Sequence, residues 1–269
     1  MLVDAVWRYP VKSMLGEQLH EAHVAVGGMA GDRRFAVVDR QTGTVASAKQ
    51  PRLWRSLLTA TAETVDGTVR VQLPGEPVLS LDDAEVDARL STFLGRSVCV
   101  SRTPAAGADV DRAEPEQVLA RGVEAEVESP KLVLGQEVPV PTFLDYAPLH
   151  LITTATLEHI GTPAARYRPN LVLRTPPGTP PYTETAWVGT TLTIGNVALR
   201  ITLPTPRCAV PVLAHGSLPP DPTALRLLMA EHRIDVPGFG VLPAAGVYAT
   251  VERAGSIAVG TTCSPDRPR

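Results

Sequence analysis

Apolar residues along this chain recur mostly with period two and in short runs, the spacing that sets alternate side chains on opposite faces of a strand. Val3–Trp7, His23–Val26, Arg34–Asp39, Thr68–Leu73, Val98–Ser101, Leu171–Arg174, Thr191–Ile194, Ala198–Leu203 and Val247–Glu252 are rich in β-branched residues and bounded by turn formers, so each reads as a strand. Three links carry hairpin-turn chemistry: Asp39-Arg40-Gln41-Thr42-Gly43-Thr44, Val65-Asp66-Gly67-Thr68 and Ile194-Gly195-Asn196-Val197. Antiparallel pairing follows from them. Helical spacing is confined to Asp82–Leu94, with acids in its first turn and Gly95 just past its end, to Thr154–Ile160, and to Pro222–His232 with Thr223 near its start. The expected fold is mostly β with peripheral helices, an α+β body.

Between Pro104 and Pro141 the periodicity disappears and the chain fills with Pro, Gly, Ala and acids. That composition reads as a linker or mobile loop. The expected organisation is an N-terminal β-rich domain over 1–100, the linker over 101–139 and a second domain over 140–269. A second Pro-rich stretch, Thr175-Pro176-Pro177-Gly178-Thr179-Pro180-Pro181, is too short for a linker and reads as a stiff surface loop. No internal repeat is visible.

Charge narrows the function classes. A formal net charge of -3 over 269 residues supplies no basic footprint for nucleic acid and no polybasic stretch for an anionic membrane surface. The N-terminus, Met1 to Trp7, meets an acid at Asp4 and has no long apolar run, so neither a signal peptide nor a membrane helix is expected. A cytoplasmic location follows as an expectation. Cys99, Cys208 and Cys263 are too few and too scattered for a disulfide framework, and no CxxC spacing offers a zinc or iron–sulfur site.

The common catalytic motifs are missing. There is no GxGxxG after a strand, no GxxxxGK[ST], no HExxH and no GxSxG. What remains is a set of cations and hydroxyls at the ends of expected strands: Lys12-Ser13, Asp32-Arg33-Arg34, Thr153-Thr154, Arg166-Tyr167-Arg168-Pro169-Asn170 and Arg207-Cys208. Arginine forks, lysine point charges and hydroxyls at a helix start all suit an anion such as phosphate. Taken singly, each has an ordinary structural reading: Lys12 and Arg33 as surface charges, Thr153 and Thr154 as a helix cap, Asn170 as a backbone partner, His150 as a core residue or one that supports the site from behind. Cys208 differs from the other two cysteines. It follows Arg207 at a proline-constrained turn, and nearby positive charge favours the thiolate, which serves as nucleophile or soft metal ligand.

Read together and in order, these residues resemble a known family. Tyr9-Pro10-Val11-Lys12-Ser13, Gly31-Asp32-Arg33-Arg34-Phe35, Pro148-Leu149-His150-Leu151-Ile152-Thr153-Thr154, Tyr167-Arg168-Pro169-Asn170, Trp187-Val188-Gly189 with Ile194-Gly195, and Arg207-Cys208 resemble the MOSC family, named for the C-terminal domain of molybdenum cofactor sulfurases. The family includes the mitochondrial amidoxime-reducing component and bacterial hydroxylaminopurine-resistance proteins. The resemblance implies an N-terminal β-barrel domain followed by a MOSC β-barrel. It implies a molybdenum cofactor (molybdopterin) with Cys208 as metal ligand and catalytic residue. Lys12, Ser13 and Arg33 would reach that cofactor from the first domain, and Thr153, Thr154, Arg168, Asn170 and Arg207 from the second.

The expected activity is a molybdenum-dependent oxidoreductase that reduces an N-hydroxylated small-molecule substrate, with electrons from a separate donor protein. Neither pyridoxal phosphate nor an iron–sulfur cluster is expected in this chain. Three positions depart from the family pattern: Ala209-Val210-Pro211 after the cysteine, Thr261 where an aspartate is usual, and His215–Asp221 in place of an acidic Gly turn. Two other readings therefore stand beside the first. One is a carrier of sulfur or of the cofactor; the other is a molybdenum-free MOSC enzyme that uses Cys208 as nucleophile.

Overall fold

The computed structural model describes residues 1–266, so the last three residues of the expected second domain lie outside the described part. Its largest element is a nine-stranded sheet. The local seeds are those expected. Ile194-Gly195-Asn196-Val197 closes the antiparallel pair Thr191–Ile194 and Val197–Pro206, with Gly195 at φ 56°. Val65–Thr68 closes Thr61–Val65 on Thr68–Gln72, with Asp66 and Gly67 both left-handed at φ 49° and 79°. That double left-handed turn matches the twist of a two-residue hairpin.

From Val197–Pro206 the sheet continues to the fourteen-residue strand Gly240–Arg253, then to Leu149–Thr153, Leu171–Arg174 and Leu2–Arg8. The pairing of the two longest strands slips register at three places, which bends them as bulges do. Leu149–Thr153 and Leu171–Arg174 are parallel, and the helix Thr154–Ile160 lies in the crossover between them. The second edge of Leu2–Arg8 is shared. Val6–Arg8 pair with Glu17–Leu19, while Leu2 bridges Thr262, just before the strand Cys263–Pro265 that returns to Thr191–Ile194. The sheet thereby closes on itself as a barrel.

Period two fills its interior. Leu149 and Leu151, Leu171 and Leu173, Leu192 and Ile194, Leu199 and Ile201, and Val247 and Ala249 are all fully buried in one cluster. Ile152, Val172 and Ala245 point the other way, into a second cluster with residues of the helices Thr154–Ile160 and Thr223–Glu231. The N-terminal half builds a separate core, in which Met14, Phe35, Trp54, Leu57, Leu73 and Leu90 are buried among short antiparallel strands and the helix Val86–Leu94. That helix starts four residues later than expected, because Asp83 folds back to accept from the Ser80 amide at 2.8 Å.

In space the two halves reach into each other across the expected boundary at residue 100. Leu2–Arg8 is a barrel strand, and Glu21–Ala25 pairs with Gly255–Ala258. An alternating strand announces its apolar face but not the sheet that receives it. The segment 101–139, expected as a linker or mobile loop, carries secondary structure of its own. It holds the strand pair Asp109–Asp111 and Lys131–Val133 and the helix Pro115–Arg121, with Val110, Ala113 and Val118 buried against both halves. Isolated apolar residues between prolines and acids carry no period, so nothing in the composition marked these short elements. Among the described residues no helix is long and apolar enough to cross a membrane.

Candidate functional site

The two halves meet at a pocket of about 750 Å³, counted out to its open mouth. Its charge is one-sided. Lys12, Arg33, Lys49, Arg168 and Arg207 line it, against the single carboxylate of Asp145. Lys12, Ser13 and Arg33 come from the loops after Leu2–Arg8 and before Ala36–Asp39; Lys49 lies in the turn that the Gln50 amide closes on the Ser47 carbonyl. His150 opens the strand Leu149–Thr153, Arg168 and Asn170 lie just before Leu171–Arg174, and Cys208 follows the end of Val197–Pro206.

The backbone is forced at these loops. Ser13 (φ 67°), Arg33 (φ 43°) and Arg168 (φ 54°) line the pocket and account for three of the five left-handed non-glycine residues among those described. Such conformations cost about 1–3 kcal/mol each and persist where the surroundings over-determine them. Here the determinants are visible. Arg33 donates to the Arg168 carbonyl at 3.2 Å and Arg207 to the Tyr167 carbonyl at 2.9 Å, so both carbonyls around Arg168 are held by guanidinium groups.

The Arg33 and Arg168 guanidinium groups lie 4.2 and 4.3 Å from the centre of the Tyr9 ring. Tyr9 in turn is fixed by its amide, which donates to Asp32 at 2.8 Å, and by its hydroxyl, which donates to the Pro169 carbonyl at 3.2 Å. Asp32 also accepts from Arg33 at 2.5 Å and from the Asn170 amide group at 2.9 Å. Among the described residues no carboxylate forms an ion pair with Arg168. Burial, and then the neighbouring Arg33, lower its pKa to about 10, so it stays charged at neutral pH.

A second cationic pair sits beside it. Lys12 Nζ donates to Asp145 at 2.5 Å and to the Phe143 carbonyl at 2.8 Å, while Lys49 lies 3.2 Å from the same carboxylate. Burial lowers Lys12 to about 8 in spite of Asp145. Burial would raise Asp145, but the Lys12 and Lys49 ammonium groups outweigh it and hold the carboxyl well below its ordinary range. His150 is pushed well below its ordinary value by burial and then by Arg207, so its ring is neutral and Nε2 accepts from Arg207 at 3.4 Å.

Cys208 is 7% exposed and unpaired in any disulfide. It lies where the charged wall meets an apolar one made of Ala48, Leu58 and Val210. Among the described residues no group of three His, Cys, Asp or Glu side chains could hold a metal ion, so a metal beside Cys208 would take its other ligands from outside the protein. The pocket does fit an anion. Arg168 Nη1, Arg207 Nε and Thr205 Oγ1 are buried polar atoms without a hydrogen-bond partner, and all three residues line it. Buried donors without acceptors are rare and costly, which makes them the natural contacts of a bound oxyanion.

Of the residues singled out from sequence, Lys12, Ser13, Arg33, Arg168, Asn170, Arg207 and Cys208 are brought together. Thr153 and Thr154 are not. Thr153 caps the helix Thr154–Ile160, accepting from the Thr156 amide at 3.2 Å and donating to the buried Glu184 at 2.8 Å, and Thr154 bonds Thr175. The reason is strand geometry: His150 reaches the pocket, and three residues further on the chain has travelled about 10 Å away. The helix start is also already capped from within. Asn170 and Ser13 prove to be braces, since the Asn170 side chain holds Asp32 and the His150 amide, and Ser13 Oγ accepts from the Ala48 amide at 3.0 Å.

Sequence reasoning missed Lys49, Asp145 and Tyr248, quoted Tyr167 within a motif without giving it a role, and read Asp32 as a turn residue and His150 as a core residue or one supporting the site from behind. Lys49 and Asp145 lie in stretches without period, and Tyr248 lies inside a strand, so nothing local marked them.

The family described as the MOSC N-terminal beta barrel domain matches residues 1–112, and the MOSC domain matches residues 143–264. No curated protein matches the chain. Among solved structures, the YuaD protein from Bacillus subtilis is similar at 10% identity over 97% of this chain and 93% of that one, with a TM-score of 0.43. YiiM from Geobacillus stearothermophilus is similar at 16% identity over 45% of this chain and 55% of that one, with a TM-score of 0.31.

Proposed function

We propose, from the premise that this chain belongs to the MOSC family in both its N-terminal β-barrel domain and its MOSC domain, that the pocket holds a molybdenum cofactor and that the protein is an oxidoreductase. The observation that carries this reading is Arg168: a half-buried guanidinium with no carboxylate partner among the described residues and a buried, unpartnered Nη1, in the same pocket as Cys208. A phosphate-bearing ligand would satisfy the one, and a soft metal carried by that ligand would take the thiolate of the other.

The best-supported reaction is reduction of an N-hydroxylated nitrogen, R–NHOH with two electrons and two protons giving R–NH2 and water. The cofactor supplies the two-electron redox chemistry when bound. The chain supplies the rest. Arg168 and Arg33 would hold an anionic group of the cofactor, and Cys208 would supply a thiolate ligand to its metal. Ala48, Leu58 and Val210 keep water from one side of the thiol. Lys12 Nζ, with a pKa of about 8, is poised to give a proton into the pocket near neutral pH and is steadied by Asp145. Electrons would come from a separate protein.

Metal analysis tests the reading on full-length protein made in a host that assembles the cofactor. Near-stoichiometric molybdenum that is lost in Cys208→Ala is expected; metal-free wild-type protein from such a host would sink it. The apolar run Ala209-Val210-Pro211 beside the thiol favours a second reading, a carrier that binds the cofactor without turnover. An amidoxime assay with an artificial electron donor separates the two, because a fully loaded but silent protein is a carrier.

A further inference from the structure

The segment 109–133 contributes no side chain to the pocket, yet two consecutive residues of it grip opposite walls. The Ala113 amide donates to the Lys49 carbonyl at 3.0 Å, on the N-terminal side. Arg112 Nη2 donates to the Arg207 carbonyl at 3.2 Å, on the barrel side. That carbonyl belongs to the peptide group that leads into Cys208. On the other side of the cysteine, Ala209 is fully buried in a cluster with Ala113 and Val118 of the same segment.

Arg112 is itself held. It is 8% exposed, its amide donates to the Pro130 carbonyl at 3.0 Å, and the residue before it pairs with Lys131 in the strand pair Asp109–Asp111 and Lys131–Val133. The Arg207 side chain cannot do this work, because its guanidinium reaches away to the Tyr167 carbonyl and His150. The peptide before the thiol would otherwise lack a charged donor.

We propose that Arg112 is a positioning residue. Its guanidinium fixes the Arg207–Cys208 peptide from behind and so sets how the thiol enters the pocket, while Ala113 ties that arrangement to the wall bearing Lys49. The inference rests on Cys208 being the functional thiol of this site, and it is independent of whether molybdenum is bound.

Alkylation by iodoacetamide of the full chain prepared without cofactor tests it, with Cys208 and Cys263 followed separately by peptide mass spectrometry. Cys263 is 4% exposed in the barrel core and reports general opening of the fold. Arg112→Ala is expected to speed alkylation of Cys208 about tenfold, the factor set by losing a charged hydrogen bond to a buried carbonyl. Cys263 should keep its wild-type rate, and Arg112→Lys, which retains a charged donor, should fall clearly closer to wild type than Arg112→Ala. An unchanged Cys208 rate, parallel acceleration of both cysteines, or a lysine variant as fast as the alanine one overturns the proposal. Metal-free wild-type protein from a cofactor-making host would end the cofactor reading and leave this comparison intact.

Discussion

Arg168 combines three unfavourable circumstances: a left-handed backbone, a half-buried charge and a guanidinium neighbour in Arg33. Each opposes folding, and on the proposed reading an anion in the pocket would offset them. Arg168→Gly should therefore raise stability toward unfolding by about 1 kcal/mol, because glycine adopts positive φ without steric penalty. Inorganic phosphate is expected to raise the melting temperature of the wild type, and Arg168→Gly should abolish that rise; a retained rise would place the anion elsewhere. Thr153→Val should do the reverse. Losing the cap and the bond to Glu184 costs about 1–2 kcal/mol, with the phosphate response unchanged.

The buried imidazoles give a pH prediction at the same scale. His150 is pushed well below its ordinary value and His215 is lowered to about 4, both by burial first, from a starting value of 6.5. Below pH 6.5 the unfolded chain takes up protons that the folded chain does not, so stability falls as the pH drops, by up to ~1.4 kcal/mol per pH unit for each residue. Denaturant midpoints measured from pH 7 to 4.5 should fall, and His150→Asn should flatten the slope. A wild-type curve flat over that range would contradict neutral imidazoles.

Among the elements, Leu2–Arg8 has the largest consequence for its length. It pairs with Leu171–Arg174 along one edge and, through Leu2 and Val6–Arg8, with two different parts of the chain along the other. Deleting residues 2–8 should leave the barrel open, with an unpaired edge on Leu171–Arg174, and yield aggregated protein on size exclusion; a soluble monomer would show that closure is dispensable. The hairpins Val65–Thr68 and Ile194–Val197 were legible because a turn needs only its own residues to specify it. The segment 109–133 was not, because its buried residues contact partners far away in sequence, Ala113 with Ala209 and Val110 with Phe143.

At the scale of the molecule, the site exists only where the halves meet. Lys12, Ser13, Arg33 and Lys49 belong to one wall and Asp145, Arg168, Arg207 and Cys208 to the other, with the segment 109–133 tied to both. Neither wall is a binding site alone. The first carries three cations without a thiol, and the second carries a thiol whose flanking peptide is braced from outside the barrel.

The sequence by itself determined the local alternation that makes short strands, the turn residues that pair neighbours, and the ordered motifs from Lys12-Ser13 to Arg207-Cys208 that mark a MOSC chain. These depend on residues close together or on residue identity alone. Tertiary structure decided which sheet receives Leu2–Arg8, that Thr153 and Thr154 face away from the pocket while Lys49 and Asp145 enter it, and that Arg112 stands behind the cysteine. The physical reason is the same in each case. Such contacts join positions tens to hundreds of residues apart, and only packing the closed barrel against the N-terminal core brings them within hydrogen-bonding distance.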